Sequence, residues 1–149
     1  MKKTVQKDFG NFGVFFVALK IMLWNRGRIL ILRDTRGLDF PGGRIDNTEY
    51  ETPLERIIAR EIREELGAVR YTLGKPAFQY RRYHDQRRMN VFVTVFEATY
   101  RSGSITLSDE HISYEWLRPK DVRITPASFS TRDEYRAFKK YLAAVSKKA

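Results

Sequence analysis

Apolar positions along the chain recur with two different periods. Val14 to Trp24 and Arg28 to Leu32 are dense in β-branched, aromatic and leucine residues, and Asn25-Arg26-Gly27 between them predicts a hairpin. The stretch "RDTRGLDFPGGRID" is punctuated by Gly37 and by Pro41-Gly42-Gly43, and predicts loop throughout. Tyr71 to Leu73, Phe78 to His84 and Met89 to Tyr100 have strand character, the last two joined around Asp85-Gln86-Arg87-Arg88. A short strand is expected after Gly103 and another at Tyr114 to Leu117. The helical period replaces this alternation twice. Thr52-Pro53-Leu54-Glu55 predicts a helix start, with Thr52 as cap, Pro53 in the first turn and Glu55 completing a capping box, and Gly67 ends the segment. Tyr135, Phe138, Leu142 and Val145 mark a second, amphipathic helix after a cap at Ser130 or Thr131. Strands flanked by two helices, without repeats or linkers, predict one α/β domain over residues 1–149.

The first helix carries acid where it should be apolar. With Leu54 as origin and about 100° per residue, Ile58, Ile62, Leu66 and Ile57 define a broad stripe, and Glu65 at about 20° and Glu61 at about 340° fall inside it. Glu64 borders the stripe, while Arg56, Arg60 and Arg63 take the outer side. Burying unpaired carboxylates is costly, so something must compensate. Arg60 lies one turn from Glu64, but one guanidinium cannot neutralise three carboxylates. Hard oxygen donors at i, i+3 and i+4 suit magnesium or manganese. The alternative is a narrower core stripe with the acids in water.

Charge narrows the partner class without fixing a function. With 28 Lys+Arg against 18 Asp+Glu the formal net charge is +10, which favours phosphates, nucleic acid or anionic lipid. No cysteine is present, so disulfides, thiolate metal sites and a cysteine nucleophile are excluded. The start imitates a leader peptide, because Lys2 and Lys3 precede an apolar stretch. Asp8 in the approach, Lys20 inside the run and the lack of a small-x-small cleavage site argue for a strand in a cytoplasmic protein. Lys20 also leaves the run short of the ~20 apolar residues of a membrane span.

"GGRIDNTEYETPLERIIAREIREELGA" resembles the box of the Nudix hydrolases. Arg60, Glu61, Ile62, Glu64, Glu65, Gly67 and Ala68 match every fixed position of its second half. The first half departs: Gly43 and Glu49 keep the family's gap, but the segment from Glu49 to Arg60 is longer than the box allows, and Glu51 is the rival. More weakly, the resemblance extends over most of residues 14 to 118. It implies a Nudix-type α/β/α sandwich with a mixed sheet.

The resemblance also implies an activity: hydrolysis, with Mg2+ or Mn2+, of the diphosphate linkage in a nucleoside diphosphate joined to another group. Glu61, Glu64 and Glu65 would be metal ligands together with the carbonyl of Gly42, while Arg60 would hold a carboxylate, with Glu49 or Glu51 behind it. For a general base, the later loop "SDEHIS" offers Asp109 and Glu110, of which Glu110 is preferred. His84 and His111 are expected to be surface or packing residues. In "FQYRRYHDQRRMN", aromatic and arginine residues could stack on a base and hold phosphate, and Arg81 and Tyr83 are the substrate-binding candidates. Two rivals share the charge: a nucleic-acid-binding module on this fold, and an enzyme of the same family acting on RNA 5′ ends. The terminal helix needs no membrane partner, and the oligomeric state is open, a homodimer included.

Overall fold

The structure, a computed structural model, describes residues 9–147. Lys2, Lys3 and Asp8, which entered the leader argument, lie outside them.

The chain runs β1 (Phe15–Asn25), β2 (Arg28–Asp34), β3 (Gly37–Asp39), β4 (Gly42–Arg44), α1 (Leu54–Leu66), β5 (Arg70–His84), β6 (Met89–Ser102), β7 (Ser113–Leu117) and α2 (Arg132–Ser146). Two short 3-10 turns, at Pro119–Asp121 and Pro126–Ser128, precede α2. The sheet order is β3-β2-β1-β6-β5, with β4 paired to β1 and β7 to β2. β1 and β6 run parallel and the other pairs antiparallel, so the sheet is mixed and the fold is α/β.

β1 is buried without a break from Ala18 to Leu23, because it is central and covered on both faces. One face, with Leu19, Ile21, Leu23, Leu30 and Leu32, packs against Ile57, Ile58, Ile62 and Leu66 of α1. The other, with Ala18, Met22, Ile29, Ile31, Tyr80, Val91, Val93 and Val95, packs against Phe138, Tyr141 and Leu142 of α2. Tyr135 and Val145, expected on the apolar face of α2, are partly buried against the same cluster. The cap of α2 is Thr131, whose hydroxyl accepts the Glu134 N–H at 3.2 Å.

The sequence expectations need several corrections. Residues 33–46 are not all loop, because Arg33 and Asp34 extend β2 and because β3 and β4 form there; each of these has only three residues, and their partners β2 and β1 impose the extended backbone. Tyr71–Leu73 and Phe78–His84 belong to one strand, interrupted by register shifts around Pro76, which an edge strand tolerates because it has no second ladder to feed. No strand follows Gly103; instead Thr106 N–H bonds the Leu66 carbonyl at 2.9 Å and Ser108 N–H the Glu65 carbonyl at 3.2 Å, satisfying the end of α1. The capping box of α1 is also absent: Pro53 takes the N-cap position without a side-chain bond, and its carbonyl accepts from Arg56 and Ile57. Leu54 is 48% exposed, so the core stripe begins at Ile57 and Ile58. Among the described residues no helix is long and apolar enough to cross a membrane.

Candidate active site

Three segments converge at the carboxylate-bearing side of α1. They are the Pro41-Gly42-Gly43 turn into β4, the helix itself, and the loop of residues 108–111 ahead of β7. Glu61, Glu64, Glu65, Ser108, Asp109 and Glu110 line one cleft of about 280 Å³. The larger hollow, lined by Thr48, Tyr50, Glu51, Thr52, Pro53 and Arg56, contains no comparable cluster.

The three glutamates differ in burial as the helical wheel requires. Glu65 is 5% exposed, Glu61 is half-buried, and Glu64 is exposed. Glu65 accepts the Gly42 N–H at 2.9 Å and has no ion-pair partner within 4 Å among the described residues. Burial pushes its carboxyl up to about 7, against the opposing pull of Lys20. Burial also raises Glu61, although Arg60 opposes this. Arg60 is shared: it bonds Glu49 through Nε at 2.9 Å and Nη2 at 2.7 Å, Glu61 through Nη1 at 2.7 Å, and approaches Glu64 only to 3.4 Å. The fork-to-carboxylate geometry selects Glu49 as the arginine's partner over Glu51, which lines the outer hollow.

Backbone geometry explains the glycine pair. A Cβ at Gly43 would meet the Glu61 carboxylate and displace it from this position, so glycine lets β4 lie directly against that side chain. Gly42 has φ +134°, and a Cβ there would run into the backbone of β1.

This donor set fits a divalent cation. Three carboxylates share one cleft, Arg60 reaches only Glu61 and Glu64, and among the described residues the buried Glu65 has no ion-pair partner and the buried Ser108 hydroxyl beside them no hydrogen-bond partner. A second grouping, Asp34, Asp39 and His111, also brings its ligand atoms within 4.8 Å of one another. It fits a cation poorly, because its carboxylates are already bound. Asp39 takes Lys20 Nζ at 2.8 Å, His111 Nε2 at 3.0 Å and Arg82 Nη1 at 3.6 Å, while Asp34 accepts the N–H groups of Arg36 and Gly37. Burial alone would raise Asp39, but Lys20, His111 and Arg82 hold it well below the usual carboxylate range.

Other candidates lie outside the cleft. Arg81 is committed to Asp133 at the start of α2, through its backbone N–H at 2.8 Å and its guanidinium at 3.1 and 3.2 Å. Tyr83 is 37% exposed on the same strand and does not line the cleft. His111 is buried with Nε2 3.0 Å from an Asp39 oxygen, and His84 is half-buried with Nδ1 accepting the Arg87 N–H at 3.2 Å. Sequence reasoning missed the network of Lys20, Asp39 and His111. Its one signal was a lysine inside an apolar run: Lys20 is 5% exposed and also donates to the Phe40 carbonyl at 3.0 Å, bracing the turn that leads to Gly42.

The chain matches the NUDIX domain model over residues 15–138. It is similar to the nucleoside triphosphatase NudI of Salmonella arizonae (strain ATCC BAA-731 / CDC346-86 / RSK2980), 28% identical, with 77% of this chain and 90% of that protein covered. Among solved structures it resembles the MutT protein from Methanosarcina mazei Go1, with TM-score 0.69 at 21% identity over 93% of this chain and 98% of that one. It also resembles the MutT NUDIX hydrolase from Burkholderia pseudomallei, with TM-score 0.62 at 22% identity over 87% and 97%.

Proposed function

The chain belongs to the NUDIX domain family, hydrolases acting on phosphoanhydride bonds, and from that premise we propose that it is a metal-dependent pyrophosphohydrolase of a nucleoside diphosphate joined to another group. The observation that carries this reading is the cleft in which Glu61, Glu64 and Glu65 gather, with Arg60 paired to the first two and Glu65 buried without an ion-pair partner among the described residues. A pure polyanion binder would gain nothing by collecting carboxylates there.

Glu61, Glu64, Glu65 and the Gly42 carbonyl would hold Mg2+ or Mn2+. When bound, the ion would neutralise the negative oxygens of the diphosphate and make phosphorus more electrophilic. Arg60, clamped by Glu49, fixes Glu61 and so keeps the carboxylates in register. Glu110, on the opposite wall of the cleft, would take the proton from the attacking water. The water oxygen bonds to phosphorus, the bridging P–O bond breaks, and the products are a nucleoside monophosphate and the phosphorylated second group.

The test is release of nucleoside monophosphate from nucleotide sugars, dinucleoside polyphosphates, nucleoside triphosphates and ADP-ribose, with magnesium or manganese and again with chelator. Metal-dependent release from at least one class is expected. No release with either metal, combined with salt-sensitive and chelator-insensitive RNA retention, would overturn the enzyme in favour of a binding module.

A further inference from the structure

Four arginines from four segments lie close enough to His84 to act on it electrostatically. Arg36 comes from the β2–β3 turn, Arg44 from β4, Arg82 from β5, and Arg87 from the β5–β6 turn. The register places Arg82 just beyond the start of the helix and Arg44 one row back, level with Tyr80 but at the far strand of that row. Tyr80, Val93, Ala18 and Arg44 form one row across β5, β6, β1 and β4, and Arg82, Val91 and Phe16 form the next. α2 begins level with Arg81, whose carbonyl accepts the Thr131 hydroxyl at 2.7 Å, so Phe78 and Tyr80 lie under the helix side of the sheet while Arg82 and His84 continue past its first turn.

Compensation of these charges is uneven. Arg44 and Arg87 have no carboxylate within 4 Å among the described residues; Arg44 instead lies over the Phe16 ring at 5.5 Å, which fixes its direction. Arg82 is largely buried, 3.6 Å from Asp39, which Lys20 also holds at 2.8 Å, and the carboxylates of Glu134 and Asp34 act on it as well. Arg36 approaches Asp34 at 3.4 Å. Burial, then Arg44, Arg36, Arg82 and Arg87, lower the pKa of His84, so the imidazole does not add to the charge near neutral pH. Arg44 and Arg87, without a carboxylate of their own, add like charge to Arg36 and Arg82, an arrangement that an incoming anion would relieve.

The cluster adjoins the active site through the backbone. Arg44 is two residues beyond Gly42 on an extended strand, about 7 Å away, and Arg82 meets Asp39 on the other side of the same turn. We propose that Arg44, Arg82 and Arg87, with Arg36 at the rim, form a second anion subsite that takes a phosphate group of the substrate outside the diphosphate that is cut. The location rests on the scissile diphosphate lying between Gly42 and the glutamates, as in the proposed function. Guanidinium forks suit phosphate oxygens, and the preferred substrate is a nucleotide with a phosphate to spare.

Equilibrium titration of the full chain in chelator tests this without turnover. Adenosine 3′,5′-bisphosphate is compared with adenosine 5′-monophosphate, and inorganic tripolyphosphate with pyrophosphate. In at least one pair the extra phosphate is expected to tighten binding by about tenfold or more, and the pair that responds tells whether the phosphate lies on the nucleoside side or the opposite side. In the double variant Arg44→Gln/Arg87→Gln that ratio falls to about one, and in Arg87→Gln alone, where the side chain is exposed and unpaired, it falls part of the way. Equal affinities within both pairs, or a ratio that survives both variants, would overturn the subsite. Absence of hydrolysis would instead overturn the proposed function and leave this binding result standing.

Discussion

Replacing Glu65 by glutamine keeps the oxygen that accepts the Gly42 N–H and removes the charge. The folded protein holds this carboxyl at about 7 against 4.5 in the unfolded chain, chiefly through burial. At about 1.4 kcal/mol per pH unit, the ionised form without metal destabilises the fold by about 3 kcal/mol. The sign follows from proton counting. Between pH 4.5 and about 7 the folded chain keeps a proton that the unfolded chain has lost, so the stability present below 4.5 disappears as the pH rises through 7. Glu61, also raised by burial, acts in the same direction but is common to both chains. Denaturant unfolding in chelator from pH 4 to 8 should therefore show Glu65→Gln matching the parent at the acid end and exceeding it at pH 8. Adding magnesium at pH 8 should stabilise the parent and not the variant, while the variant's turnover falls by at least about a hundredfold. A constant stability difference across this range, or a variant weaker at pH 8, would refute the account of Glu65.

Glu49→Gln should lower turnover by about tenfold or more through the loss of its clamp on Arg60, whereas Glu51→Gln should leave it unchanged; steady-state rates decide. Lys20→Met leaves Asp39 buried with weaker partners and should cost about 3–5 kcal/mol in denaturant unfolding, with much of the loss recovered in the double variant with Asp39→Asn. Arg81→Ala should lower the melting temperature slightly without changing KM, since the side chain is occupied by Asp133.

The most legible parts of the chain are those in which local pattern and tertiary role agree. Ile57, Ile58, Ile62 and Leu66 repeat with the helical period and do form the core face of α1, and the misplaced glutamates mark the cleft by their spacing alone. β1 and β2 are legible because their burial is nearly continuous. β3 and β4 are not, since three residues carry no period and take their conformation from neighbouring strands. The segment after Gly103 has the composition of a strand, but the open carbonyls of Glu65 and Leu66 capture its N–H groups. Arg81 illustrates a limit of alternation: it assigns a side chain to a face, but not to Asp133, which lies far along the chain. Lys20 is visible as an oddity, yet its partners Asp39 and His111 are distant in sequence and meet it only in the fold.

The central claim is that a dication belongs among the carboxylates of α1. Anomalous diffraction from crystals grown with manganese measures this directly. The account predicts a peak at about 2.1 Å from a Glu65 oxygen, with Glu61, Glu64 or the Gly42 carbonyl completing the shell. No peak in this cleft, or a peak confined to Asp34, Asp39 and His111, would contradict it.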